Sequence, residues 1–206
     1  MRTLTPLVTL LAALAATCLS AQPAPPMRVR GTVQSFDGHA LKVATADHGT
    51  LTLAVGDKTG INGVAKRSVD DIGENTFIGT TAVMDHGRWR ATEVHIFPES
   101  MRGVGEGHYA WDLPESTMTN AAVTGMTAAR RGRTLHLKYS KNQDGGNGGA
   151  VDVDITKKTA IVALTPGDKA QLVPGAKVYA LATEQANGAL NAVAVVAETN
   201  GVKPPM

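Results

Sequence analysis

Most of this chain is written twice, and nothing else in it constrains the fold as strongly. Gly31, Gly38, Leu41 and Val43 correspond to Gly125, Gly132, Leu135 and Leu137. The run Leu51 to Val55, followed by Lys58, Thr59 and Ile61, corresponds to Val151 to Ile155, followed by Lys158, Thr159 and Ile161. Gly79 and Val83 match Gly175 and Val178, and Gly87, Trp89, Ala91 and Val94 match Gly188, Leu190, Ala192 and Val195. The repeated unit has period-two alternation, which places side chains on opposite faces of strands.

In the first copy, Val29, Gly31, Val33 and Ser35 share one parity, Asp37-Gly38 forms a two-residue hairpin turn, and Leu41, Val43 and Thr45 return. Leu51, Leu53 and Val55 alternate again, Thr80 to Met84 form a fourth strand, and Trp89, Ala91 and Glu93 lie on one side of a fifth. Ser68-Val69-Asp70-Asp71 has the spacing of a capped single helical turn. The second copy centres its strands on Val123, Leu137, Val153, Val178 and Val193. Five short strands separated by Gly or Asp turns predict a small antiparallel barrel or sandwich. The fold expected is therefore all-β: two tandem small antiparallel β-barrels, OB-like, joined by a structured linker. Each copy of about 75 residues is near the lower limit for independent folding, so mutual packing is expected. The Gly-rich stretch 141–149 has little to bury and predicts a mobile surface loop.

The organisation read from this pattern is a signal peptide over 1–21, a Pro-rich leader over 22–27, repeat one over 28–96, a linker over 97–120, repeat two over 121–198 and a tail over 199–206. Arg2, the apolar run Leu7 to Leu14 and the small residues Ala16 to Ala21 carry the export reading. That run falls short of the roughly 20 residues of a membrane span. No transmembrane segment is expected after signal cleavage, and the location expected is the periplasm of a Gram-negative bacterium or the medium. Cys18 is the one cysteine, and Ala15-Ala16-Thr17 before it fits a lipid-attachment site poorly. Cleavage after Ala21 leaves no thiol for a disulfide, a nucleophile or a metal. The formal net charge of +2 includes Arg2 and forms no basic stripe, which argues against nucleic acid as a partner.

The linker is not repeated, and it is dense in functional groups. Phe97, Met101, Tyr109 and Trp111 are candidates for contact with a ligand or protein partner. His95, Glu99, His108 and Asp112 offer imidazole and carboxylate donors for a transition metal such as Cu, Zn or Ni. Met101 and Met118 would add thioethers, which favour reduced copper. Their spacing matches no regular metal motif. The same aromatic residues also suit a fixed strap between two barrels. Gly103, Gly105 and Gly107 lack the spacing of a nucleotide loop, and no Gly-x-Ser-x-Gly elbow is present.

Several of these residues carry a resemblance. The opening Gly31-Thr32-Val33 with Gly38, the Lys-Thr ends at Lys58-Thr59 and Lys158-Thr159, Gly79 to Val83, and Ala-x-x-Val at Ala91 to Val94 and Ala192 to Val195 resemble the DUF5666-domain family of exported bacterial β-domains. The run Glu93 to Glu99 with Met101-Arg102-Gly103, Gly105-Glu106-Gly107-His108 and Trp111-Asp112 looks like the signature of a proteobacterial subgroup. Members of that subgroup are often labelled metal ABC transporter permeases, a label at odds with a chain that has no expected membrane span. The resemblance implies an OB-like barrel and a binding role, and it brings no catalytic residues. The function expected is that of an exported, non-enzymatic binding or adaptor protein of the bacterial envelope, engaging an envelope protein or a small ligand. The alternatives are a periplasmic metal-binding accessory protein associated with metal transport and an enzyme with an unrecognised site.

Overall fold

The computed structural model describes residues 26–112, 114–142 and 145–205. The signal-peptide and Cys18 readings, and most of the leader, lie outside them. The protein is all-β, with its strands in one sheet. The first repeat supplies β1 (Met27–Phe36), β2 (Ala40–Ala44), β3 (Thr50–Ala54), β4 (Gly60–Lys66), β5 (Phe77–Asp85) and β6 (Arg88–Ile96). The connection supplies β7 (Gly107–Ala110). The second repeat supplies β8 (Ser116–Ala129), β9 (Gly132–Lys141), β10 (Asn147–Ile155), β11 (Ala160–Pro166), β12 (Lys177–Glu184) and β13 (Leu190–Ala197). Among the described residues no helix is long and apolar enough to cross a membrane.

Hydrogen bonding does not follow the repeats. β1, β2, β3, β13 and β12 pair in that order, and β12 pairs back to β1. β8, β9, β10, β6 and β5 pair in the same way, and β5 pairs back to β8. Each closed circuit thus takes three strands from one repeat and two from the other. The expected division into one self-contained barrel over 28–96 and another over 121–198 is not what the pairing gives. The reason lies in β4 and β11, which the alternation did not predict as strands. They pair antiparallel with each other and run parallel to β13 and β6, so each carries its chain across to the other circuit. After each crossing a single 3-10 turn leads into the next strand. In the first repeat the carboxylate of Asp71 accepts from the backbone N–H (2.7 Å) and hydroxyl (3.0 Å) of Ser68, as the capping spacing predicts. Asp168 and Gln171 do the same work in the second.

Three apolar clusters follow from this exchange. One fills the first circuit around Val29, Leu41, Leu53, Val178 and Val195. A second fills the other around Ile78, Val94, Leu135, Leu137 and Val153. The third lies between them, on Val64, Val162, Leu164, Tyr179 and Val196, with Phe97 and Met101 packed against it.

Two of the expected equivalences shift. The bulge between Val33 and Ser35 matches the one between Val123 and Gly125, so Gly125 takes the place of Ser35, and Ala121 that of Gly31. The pairs Ala82 with Ala91 and Ala182 with Ala192 also coincide, which aligns Gly79 with Tyr179 and Gly175 with Asn75. Asn75 and Gly175 both have positive φ, as that turn demands. The Gly-rich stretch is likewise not a free loop in its described part. Asn147 pairs with Lys141 and Gly149 with Tyr139, extending the β9–β10 hairpin. A Cβ at Gly149 would press on the Tyr139 ring, so glycine lets that ring lie over the strand.

A cavity roofed by the linker

The repeated Ala-x-x-Val motif breaks strict alternation, and a bulge is the reason. Thr81 pairs with Glu93 and Ala82 with Ala91, leaving Thr92 as the extra residue. Ala91 and Val94 therefore both face the circuit interior, while Glu93 and His95 turn to the opposite face, toward the third cluster. A single extra residue thus buries a carboxyl and an imidazole between the two circuits. The Thr81 hydroxyl donates to Glu93 at 2.8 Å. Burial pushes the Glu93 carboxyl above its ordinary range despite that bond and the nearby Arg30. His95 is 3% exposed, and burial depresses its pKa to about 4, so it is neutral near pH 7.

His95 lies in one cross-strand row with Gly79, Asn120 and Gly107. Gly79 leaves the space these side chains use: a Cβ there would collide with Nε2 of His95 and crowd Oδ1 of Asn120. Asn120 is 7% exposed, and its Nδ2 donates to the Val104 carbonyl at 3.1 Å. That carbonyl can accept only from the amide nitrogen, which fixes the orientation of the group. Oδ1 of Asn120 and Nδ1 of His95 are both buried without a hydrogen-bond partner. Such atoms cost free energy unless something satisfies them.

Both side chains line a cavity of about 350 Å³ between the circuits. The residues 97–111 close one side of it, through Phe97, Met101, Val104, Tyr109 and Trp111. Leu164, Tyr179, Leu181 and Val196 form the facing wall, and Met118 packs beside Asn120. The roof is tied down. Arg102 donates to both Glu99 oxygens and to the Asn75 carbonyl, Glu106 accepts from the N–H and hydroxyl of Ser140, and Asn142 accepts from the His108 N–H. β7 adds an edge strand on β8. At the rim, Arg28 lies 3.8 Å from the Trp111 ring centroid, and Asp112 pairs with Arg28 at 2.6 Å and Arg30 at 2.5 Å. Burial raises Tyr109 and Tyr179 to about 12, so both stay protonated.

All four residues predicted to meet a ligand or partner, Phe97, Met101, Tyr109 and Trp111, line this one cavity. The four metal candidates are not brought together. His108 sits in the adjacent row with Thr119, Thr80 and Val94, so it projects from the opposite face of the sheet to His95. Its Nδ1 lies 2.8 Å from the Thr119 hydroxyl, and its ring packs edge-on to Trp89. Glu99 is spent on Arg102, and Asp112 on two arginines. Among the described residues no three His, Cys, Asp or Glu side chains converge as a metal site. The sequence reading did not single out Asn120 or Gly79 as candidates, because Asn120 lies at the far end of the linker beyond its aromatic run and Gly79 read as a repeat anchor. The far wall was also missed, since nothing local joins Arg28 or Tyr179 to residue 97.

Other features are less enclosed. A cleft of about 710 Å³ carries Arg88, Arg90, Arg130, Arg131 and His136, but Arg88 and Arg90 are already paired with Asp154 and Asp85. Along it, Asp152, His136 and Thr127 form a hydrogen-bonded chain of 2.7 and 3.0 Å. The order of groups is that of an acyl-transfer triad, yet it lies on an open sheet face with Asp152 61% exposed, far from the water-excluded setting that strengthens such groups. No family model, curated protein or solved structure matches the chain.

Proposed function

We propose that this is an exported, non-enzymatic binding protein of the bacterial envelope, and that its ligand is a small, largely apolar molecule held between the two circuits. We read each five-stranded circuit as a small OB-like barrel, with the DUF5666 resemblance applying to the repeats from which both are assembled. The observation that carries the proposal is the convergence of Phe97, Met101, Tyr109 and Trp111 on a cavity also lined by His95 and Asn120, each of which carries one buried, unpartnered polar atom. Apolar pockets with few fixed polar groups are the usual form of small-molecule sites. The test is fluorescence titration with the uncharged probe N-phenyl-1-naphthylamine. Saturable enhancement is expected, weakened about tenfold or more by Ala194→Phe, which fills the cavity from β13. Unsaturable enhancement, or the same affinity in the variant, would sink the reading.

A second reading has one observation in its favour. His95, Met101 and Met118 line the same cavity, and an imidazole with two thioethers suits reduced copper. Competition with bicinchoninate for Cu(I) tests it. Loss of stoichiometric copper in Met101→Leu would support it, and failure to compete would dismiss it.

A further inference from the structure

The cavity lies where the two repeats meet, so equivalent positions face one another across it and their divergence can be read directly. His95 and its counterpart Val196 both line the cavity. The counterpart of Gly79 is Tyr179, so the position that in one repeat leaves room for His95 and Asn120 carries a buried phenol ring in the other. The counterpart of Asn120 is Arg30, whose guanidinium lies 5.0 Å from the Tyr179 ring centroid and is paired with Asp112. One wall is thus apolar and closed by an ion pair, while the other bears a neutral imidazole and an unused amide oxygen.

Resting on the small-ligand reading above, we propose that the cavity selects an uncharged ligand with an apolar body and one O–H or N–H donor, which Asn120 Oδ1 accepts beside His95. An amide oxygen accepts and cannot donate, so the complementary group must carry a hydrogen. The neutral imidazole has one donor and one acceptor nitrogen, so it tolerates the hydroxyl without demanding charge. An anionic head is disfavoured. The two rim arginines already share both oxygens of Asp112, Glu93 adds a buried carboxyl near Arg30, and Asn120 Oδ1 would face a carboxylate oxygen to oxygen. A cation would have to lie against Arg28, which also lines the cavity.

Calorimetric titration with three molecules of one shape tests this: 2-naphthol, 2-methoxynaphthalene and 2-naphthoate. The naphthol is expected to bind about tenfold more tightly than its methyl ether, the worth of one hydrogen bond to a buried acceptor, with the naphthoate weakest. Asn120→Leu should level the naphthol and the ether by weakening only the naphthol. The wild-type ranking stands as a test even if that variant does not fold. Equal binding of naphthol and ether overturns the donor inference and leaves the apolar-ligand reading intact. Naphthoate binding most tightly overturns it in favour of anion recognition by Arg28. Binding of none of the three removes both readings.

Discussion

Val64 and Leu164 face each other across the seam between β4 and β11, and they are the same position of the two repeats. A residue paired with its own counterpart marks an approximate twofold axis. The pairings of the repeats obey it, with β7 on β8 the one addition that has no counterpart: β1 with β12 mirrors β8 with β5, and β3 with β13 mirrors β10 with β6. The chain therefore resembles a strand-exchanged dimer whose two copies have been joined by the linker. The linker covers one end of that axis, which is where the cavity lies.

Exchange makes each half of the chain dependent on the other. A fragment of residues 26–106 contains β1 to β3 without β12 and β13, and β5 and β6 without β8 to β10. Expressed alone, it is expected to give no folded monomer: either an unfolded chain or a symmetric dimer. Mixing it with residues 107–205 is expected to restore the native circular-dichroism spectrum. Sedimentation velocity checks this, and a cooperatively folded monomer from the first fragment would refute the pairing across repeats.

Gly79 is needed for the space above it rather than for its backbone, since its φ is not positive. Gly79→Ala drives a methyl into His95 and Asn120, and both are held by packing. The expected cost is about 1–3 kcal/mol, typical of overpacking a filled interior. Urea denaturation gives the value. Gly38→Ala is the useful contrast: its Cβ meets no neighbour, so any loss there comes from the positive φ of the turn alone.

His95 sets a pH dependence of definite sign. Its ordinary pKa of 6.5 applies to the unfolded chain, and burial lowers it to about 4 in the folded protein. Above pH 6.5 neither state takes the proton, so nothing changes. Between 6.5 and about 4 the unfolded chain binds a proton that the folded one refuses, so stability drops as the pH is lowered. Integrated over that window the loss is about 3 kcal/mol. His108, also lowered by burial, adds in the same direction, while the raised carboxyl of Glu93 opposes both at the acid end. Urea midpoints between pH 7.5 and 5 are expected to drop for the wild type and to drop less for His95→Leu. Identical slopes would mean that His95 is not buried as described.

The strands predicted from alternation are present, because half-buried strands write their environment into every second residue. β4 escaped because Asn62 and Gly63 interrupt its apolar run. Gly63 is required there by the side chains of Thr199, Gln171 and Thr165, which lie in distant parts of the chain. Missing β4 meant missing the crossing, and with it the exchange between repeats. The linker side of the candidate cavity was legible, since Phe97, Met101, Tyr109 and Trp111 are unusual in a connection and all four line it. The other half was not, since Leu181 and Val196 read as ordinary strand residues and acquire a role only once the repeats interlock. Parity also failed at Thr92, where one bulged residue sends His95 to a face that simple alternation gives to its neighbours.

Separation of the proposed metal donors gives a further expectation. His95 and His108 leave the sheet on opposite faces, so no single divalent ion engages both. Titration with zinc or nickel is expected to give isotherms that neither His95→Ala nor His108→Ala alters. A stoichiometric site lost in both variants would require the row assignment of β6, β5, β8 and β7 to be wrong.

The rim offers a last test, because its charge balance turns on one carboxylate. Asp112 spans Arg28 and Arg30, each about one-third exposed, and Arg28 lies over the Trp111 ring. Surface pairs of this kind contribute little, so Asp112→Asn is expected to change stability by less than about 1 kcal/mol. Its effect on binding is expected to be larger, because the substitution releases two guanidinium groups beside the cavity mouth. Affinity for 2-naphthoate should rise and become sensitive to salt, while affinity for 2-naphthol stays within a factor of about two. Calorimetry at low and high sodium chloride reads both. If naphthoate gains nothing, Arg28 does not face the bound molecule, and the apolar wall alone governs what enters.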